Sequence, residues 1–283
     1  MKDYSFEELR GKICVITGGG GVLGSSMARG LAAAGVIPVI LDIDEKAASR
    51  AAMEVSAESG VRCHGYKANV LDRESLETVQ KQIKAEAGEI EMLINGAGGN
   101  SPGATTRLEQ LTEDDLDHLE DGFFGLELEG FQKVFDLNFT GTLLPTLVFT
   151  RDMVVRQRGA VLNISSMNSY KPLTKIPAYS AAKSSINNFT QWLAVHFARV
   201  GVRVNAIAPG FFLTNQNRFL LTDEKTGRLT PRGEKIIAST PMGIFGEPGD
   251  LTGAVLFLMS DLSRFITGIC IPVDGGYSAY GGV

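Results

Sequence analysis

The chain has 283 residues, of which 44% are hydrophobic and 21% charged, with a net charge of −5. That length suffices to bury a core of its own, and mild acidity without a basic stripe speaks against a nucleic-acid partner. No run of 18 apolar residues occurs, and Met1–Lys12 is charged and lacks an apolar leader core, so neither a membrane span nor an export signal is expected and the chain reads as cytoplasmic.

Short β-branched runs alternate with longer amphipathic stretches. Strands are predicted over Lys12–Thr17, Val36–Asp42, Val61–Ala68, Glu91–Asn95, Ala160–Ile164, Arg203–Ile207 and Ile269–Val273. Helices are predicted over Gly24–Gly35, over Glu45–Ser59, and from an Asp72 cap to about Gly88. Strands alternating with helices imply parallel βαβ units, and the apolar run Val36–Leu41 suits a strand buried on both faces. The expected fold is a single α/β domain over residues 1–283, a doubly wound parallel sheet of seven strands with helices on both sides. Loop insertions are expected at about 99–130 and 211–240. Both follow strand ends, where open α/β sheets bind ligands.

Cys14, Cys63 and Cys270 form no CxxC pair, and His64, His118 and His196 lack ligand spacing. Reduced thiols and no metal are therefore expected.

Thr17-Gly18-Gly19-Gly20-Gly21-Val22-Leu23-Gly24 follows the first strand and opens a helix, the context in which bare backbone N–H groups meet a pyrophosphate. Asp42 ends the second strand, 24 residues after Gly18. A carboxylate there accepts hydrogen bonds from an adenosine ribose and repels a 2′-phosphate, which favours NAD over NADP; alone, Asp42 before Ile43 would read as a solvated turn. Asn69-Val70 and Asn95-Gly96-Ala97-Gly98-Gly99 end the next two strands and put three strand ends on one rim.

Tyr179 and Lys183 stand one helical turn apart. Tyrosine ordinarily titrates near ~10 and is a poor base at neutral pH; a nearby cation favours the phenolate. Ser166 lies thirteen positions upstream of Tyr179, where a hydroxyl can hold a carbonyl oxygen or cap the following turn.

Thr17–Gly24, Asp42, Asn95–Gly98, Asn138, Ser166, Tyr179-x-x-x-Lys183 and Asn205–Gly210 together resemble the short-chain dehydrogenase/reductase family over almost the whole chain. The resemblance implies that Tyr179 is the general acid/base and that Lys183 lowers its pKa and holds the nicotinamide ribose. It implies that Ser166 orients the substrate and that Asn138 holds a water in a proton relay. It assigns Gly18, Gly20, Gly21, Val22, Leu23, Gly24, Asp42, Ile43, Asn69, Val70, Asn95–Gly98, Pro209, Gly210, Phe212 and Thr214 to NAD(H), beside Tyr179 and Lys183. Three positions depart from the family pattern: Val22 for a glycine, Gly96 for an asparagine and Asn69 for an aspartate.

Asn95–Asn100, Ser166-Met167-Asn168, Pro172–Pro177, Pro209–Thr214 and Asp274–Tyr280 resemble the branch of D-mannonate oxidoreductases, also called fructuronate reductases. That implies interconversion of D-fructuronate and D-mannonate, with gluconate 5-dehydrogenase or another polyol or ketose dehydrogenase as the alternative. An NAD-binding regulatory protein on the same fold is the reading outside the enzyme class. A sugar acid needs cations and amides, and the loops at the rim offer Asn100, Asn168, Lys175, Asn215, Asn217 and Arg218. Phe131–Met153 and Ile186–Val200 are apolar on more faces than one core needs, and the family resemblance implies a homotetramer or homodimer built on those helices. The tail from Tyr277 to Val283 is expected either to close the site or to reach a neighbouring subunit.

Overall fold

Seven strands form one parallel sheet in a computed structural model that describes residues 5–214, 217–223 and 226–282. They are β1 (Ile13–Thr17), β2 (Ile37–Asp42), β3 (His64–Lys67), β4 (Ile90–Asn95), β5 (Gly159–Ile164), β6 (Val202–Pro209) and β7 (Cys270–Val273). Their order is β3-β2-β1-β4-β5-β6-β7. The order reverses between β1 and β4, where Thr17 pairs with Leu41 on one side and Asn95 on the other. Such a switch point leaves a crevice at the carboxyl ends of the strands.

The helices are α1 (Val22–Ala33), α2 (Glu45–Ser59), α3 (Arg73–Glu86), α4 (Leu128–Phe135), α5 (Gly141–Phe149), α6 (Arg151–Val155), α7 (Pro177–Phe197), α8 (Arg218–Leu221), α9 (Pro231–Ala238) and α10 (Thr252–Met259). Alternation along the strands divides the core in two. Cys14, Ile16, Ile40, Ile94 and Leu162 pack with Met27, Leu31, Val55 and Leu258 on one face. Val15, Val39, Leu93, Val161 and Val204 pack with Leu76, Ile83, Phe149 and Leu193 on the other. Full burial of each such aliphatic side chain contributes about 1.5–3 kcal/mol. Asp44 caps α2 by accepting from Lys46 N at 2.9 Å, and Asp72 caps α3 by accepting from Glu74 N at 3.0 Å.

Most boundaries shift by a residue or two from the sequence reading, and two shifts have a visible cause or consequence. The third strand forms only over His64–Lys67, because Cys63 N is drawn to Ser56 Oγ (2.9 Å) and so to α2 rather than to the ladder. The first helix starts at Val22, not Gly24. Residues 99–127 contain only short 3-10 turns before α4, and an ion pair between Lys235 and Glu109 (3.2 Å) ties them to α9. The two insertions therefore touch. No helix among the described residues is long and apolar enough to cross a membrane.

Candidate active site

The crevice at the β1–β4 switch is a cleft of about 740 Å³. Its first wall is the glycine-rich turn after β1. Gly18 has a φ of +64°, and a Cβ there would sit 2.9 Å from Ala97 Cα, so only glycine fits. Thr17 Oγ1 accepts from the N–H groups of Gly96 (3.1 Å) and Ala97 (3.2 Å), which locks the turn after β1 to the turn after β4. The close helix approach occurs at Gly24, whose added Cβ would lie 2.5 Å from Gly18 O. The valine at position 22 is therefore harmless: it occupies the first helical position, two residues before the contact.

Helix α1 begins with neither a side-chain cap nor an acidic residue in its first turn. Its free N–H groups and positive dipole end face the cleft beside Gly21, Val22 and Leu23. The Asp42 carboxylate accepts from Gly20 N and Asp44 N, both at 3.1 Å, and is thereby held at the cleft edge next to Ile43. Asn69, Val70, Gly96, Ala97, Gly98, Gly210, Phe212, Thr214 and Asn217 also line the cleft.

At the other end, Tyr179 and Lys183 lie in the first turns of α7. Lys183 is 3% exposed, donates to Ile164 O at 2.8 Å, and places Nζ 5.6 Å from the Tyr179 ring centroid. Burial brings its amine down to about 8. Tyr179 is pushed above its ordinary value by burial, with a hydrogen bond to Ser166 opposing. The expected lowering of the tyrosine by the lysine is thus not what dominates here: the lysine is itself desolvated and turned toward a main-chain oxygen. Ser166 Oγ also accepts from Asn168 N (3.2 Å), so the hydroxyl caps the following turn as well as meeting Tyr179.

Asn138 sits in a π-helical turn over Asp136–Thr140, a backbone irregularity common at functional sites. Its Nδ2 donates to Gly99 O (2.7 Å) and Val134 O (2.8 Å), so its side chain braces the turn after β4.

Residues 21–278 match the family model described as enoyl-(acyl carrier protein) reductase. The chain belongs to the short-chain dehydrogenase/reductase family. It is 50% identical to the uncharacterised Bacillus subtilis oxidoreductase UxuB over 278 residues, covering 98% of each chain. It is 32% identical to a 2-dehydro-3-deoxy-D-gluconate 5-dehydrogenase of Formosa agariphila over 272 residues, covering 96% of this chain and 94% of that one. A crystal structure of a candidate D-mannonate oxidoreductase from Haemophilus influenzae, with bound NAD, superposes with a TM-score of 0.91 at 50% identity, covering 97% of this chain and 98% of that one.

Within this dehydrogenase fold some residues of the sequence reading stand apart from the cleft or spend their polar atoms elsewhere. The Asn95 side chain is 1% exposed and donates to Thr146 Oγ1 (2.9 Å) and Asn163 Oδ1 (2.8 Å), knitting β4 to β5 and α5. Both side-chain atoms of Asn217 are used within its own loop, Oδ1 by Thr214 N and Nδ2 by Phe212 O, each at 2.8 Å. Asn100 is exposed and donates to Thr105 Oγ1 at 2.8 Å. Pro209 ends β6 in the buried sheet. Asn168 is 4% exposed, and its Oδ1 has no partner among the described residues. Lys175 is half-buried and Arg218 exposed, and neither side chain makes a hydrogen bond or ion pair to a described residue. Asn215 lies outside the described residues.

The structure adds Ala68, Leu71, Leu137 and Phe211 to the lining. Phe211 meets Tyr277 edge-on at 5.4 Å, and Lys171 donates to Tyr280 O, so the C-terminal segment folds back onto Phe211 of the cleft and onto the loop after β5 of its own chain. Val283 lies outside the described residues. The signal for Phe211 was its place in a Pro-Gly-Phe-Phe run; nothing in the sequence marked Leu137. Among the described residues no group of acidic, histidine or cysteine side chains is arranged to hold a metal.

Proposed function

We propose that this protein is an NAD-dependent oxidoreductase that interconverts a ketone and a secondary alcohol on a sugar acid, with D-fructuronate and D-mannonate as the pair. The observation that carries the reading is that the uncapped α1 N-terminus and Asp42 line the cleft, while Lys183 of the Ser166–Tyr179–Lys183 group lies against Gly98 of the same cleft, 3.1 Å from where its Cβ would be. The cleft suits the cofactor: the glycine turn leaves room against Ala97 that a Cβ would fill, and the bare N–H groups of α1 suit a pyrophosphate. Asp42 would accept from the adenosine ribose, and its charge disfavours a 2′-phosphate.

NAD, when bound, supplies or accepts the hydride. Tyr179 then gives a proton to the carbonyl oxygen in reduction and takes one from the hydroxyl in oxidation. Ser166 orients that oxygen, and Lys183, charged, favours the phenolate. Asn138 holds the turn of Gly98 and Gly99 in place. The buried, unpartnered Asn168 Oδ1 supports a polyol hydroxyl as substrate contact, and the unpaired Lys175 and Arg218 support a carboxylate. The bound NAD of the Haemophilus structure and the sugar-acid dehydrogenase among the relatives support the same reading. That relative also keeps gluconate-type 5-dehydrogenation open as the second reading.

The protomers are proposed to pair through α5 and α7. Trp192 (58% exposed) and Val195 (80% exposed) on α7 and Leu147 (47% exposed) on α5 leave an uncovered apolar face.

The deciding experiment follows NADH absorbance with purified protein and D-fructuronate, 5-ketogluconate or fructose. Fast oxidation with fructuronate alone is expected. Turnover of another ketose without fructuronate would move the substrate and keep the chemistry, and no turnover with any would favour a regulatory NAD-binding role.

A further inference from the structure

The opposite end of the sheet carries a second cavity. It has a volume of about 530 Å³ and opens where β4, β5 and β6 begin, the far ends of strands that lead to Gly96, Ser166 and Gly210. Met92, Ala160 and Met259 form its floor, and none is more than 5% exposed. Lys12, Arg158 and Arg264 border it, and none of the three side chains makes a hydrogen bond or ion pair to a described residue.

A fourth cation, Arg203, is already committed. Its Nη1 donates to Leu258 O (2.7 Å) and Ser263 Oγ (2.8 Å), and its Nη2 to Ser260 O (3.1 Å). Glu91 and Asp261 are the only carboxylates among the lining residues, so four cations against two carboxylates leave two positive charges here on a chain of net charge −5. Lys12 is half-buried. Burial holds its amine below the ordinary value, Arg158 adds to the lowering, and Asp261, Glu91 and Glu8 oppose it. Arg158 and Arg264 are exposed. A half-buried lysine with carboxylates nearby but no hydrogen bond or ion pair to a described residue, beside two such arginines, is an arrangement that a bound anion relieves. The Phe265 ring, fully exposed, stands at the same mouth.

We propose that this cavity binds a small organic anion, with its carboxylate or phosphate against Lys12, Arg158 and Arg264 and its apolar body over Met92, Met259 and Phe265. Concave apolar surface with a few converging charges, at this volume, is the usual form of a small-molecule site. None of these residues lines the cleft at the other end of the sheet, so the proposal stands apart from the oxidoreductase reading.

The test uses the full chain and the fluorescent probe 8-anilinonaphthalene-1-sulfonate, an aromatic sulfonate, with saturating NAD+ present to occupy the cleft. A saturable, salt-sensitive fluorescence rise is expected. Its Kd should weaken about tenfold in Lys12→Met/Arg158→Met, and separately in Arg264→Met, and stay unchanged in the surface control Lys81→Met. Complete displacement of the probe by NAD+, or an unchanged Kd in both cavity variants, would overturn the proposal. So would sedimentation showing that the assembled protein excludes the probe while the cavity variants dissociate, which would make this mouth a contact between copies.

Discussion

Lys183 Nζ donates to the main-chain oxygen of Ile164 at 2.8 Å, two residues before Ser166. The bond fixes the start of α7 against the end of β5, and with it the spacing of Ser166 and Tyr179. It also gives the buried ammonium one partner and no counter-charge, which is why burial alone accounts for the fall of its pKa to about 8.

That value carries a stability prediction. Below about pH 8 the lysine is protonated in both folded and unfolded chains, and the folded state bears the full penalty of the buried charge. Between about 8 and the ordinary value of 10.5 the unfolded chain binds more protons, so stability rises with pH. Lys183→Met removes this slope. Urea unfolding at about pH 7 and about pH 10 should show the wild type gaining on the variant as pH rises; parallel behaviour would mean that the lysine titrates normally.

Tyr179 is raised by burial and therefore carries its proton at neutral pH. Reduction, which needs that proton, should be flat through neutrality and fall in alkali, whereas oxidation should climb with pH. Tyr179→Phe should lower turnover by roughly 10²–10⁴-fold in either direction, with NADH fluorescence titration unchanged. Retained turnover would assign the proton to another group.

The sheet, the glycine turn and the Asp42 edge were legible because each rests on local pattern: buried strands without polar positions, a turn that tolerates only glycine, and a carboxylate at a strand end. What pattern misses is where a side chain points. Asn95 ends β4 in the expected place, but alternation along the strand turns its amide into the protein, onto Thr146 and Asn163. Asn217 is polar and near the rim, but its own loop consumes both ends of its amide. The spacing of Tyr179 and Lys183 predicts a lowered tyrosine but says nothing of how deeply both are buried, and burial raises Tyr179 instead.

Gly98 faces two groups that have little freedom to yield. A Cβ there would lie 2.6 Å from Asn138 Oδ1 and 3.1 Å from Lys183 Nζ. Asn138 is held by Gly99 O and Val134 O, and Lys183 by Ile164 O. Gly98→Ala should cost about 1–3 kcal/mol of stability and reduce turnover at least about tenfold by displacing the lysine. Full activity in a folded variant would show that the turn after β4 has slack.

Asp42 serves both the glycine turn and the start of α2 through its bonds from Gly20 N and Asp44 N. Asp42→Ala should raise KM for NADH and erode the preference over NADPH, because it removes both a ribose acceptor and the charge that repels a 2′-phosphate. Steady-state kinetics with both cofactors measure the ratio, and an unchanged ratio would mean that Asp42 only supports the loop.

Lys175 and Arg218, neither partnered by a described residue, make separable predictions about the substrate. Lys175 precedes Tyr179 by four residues, and its main-chain oxygen accepts from Thr106 N at 3.0 Å, so its backbone is pinned between α7 and the 99–130 insertion. Arg218 begins the short α8 and is exposed. A charge-assisted contact to a carboxylate is stronger from the half-buried, pinned lysine than from a solvated arginine. Lys175→Met should therefore raise KM for a sugar acid about tenfold and leave KM for a neutral ketose unchanged, with a smaller effect from Arg218→Met. Equal changes on acid and neutral substrates would show that Lys175 shapes the mouth without recognising charge. A larger effect from Arg218 would move carboxylate recognition to the loop after β6.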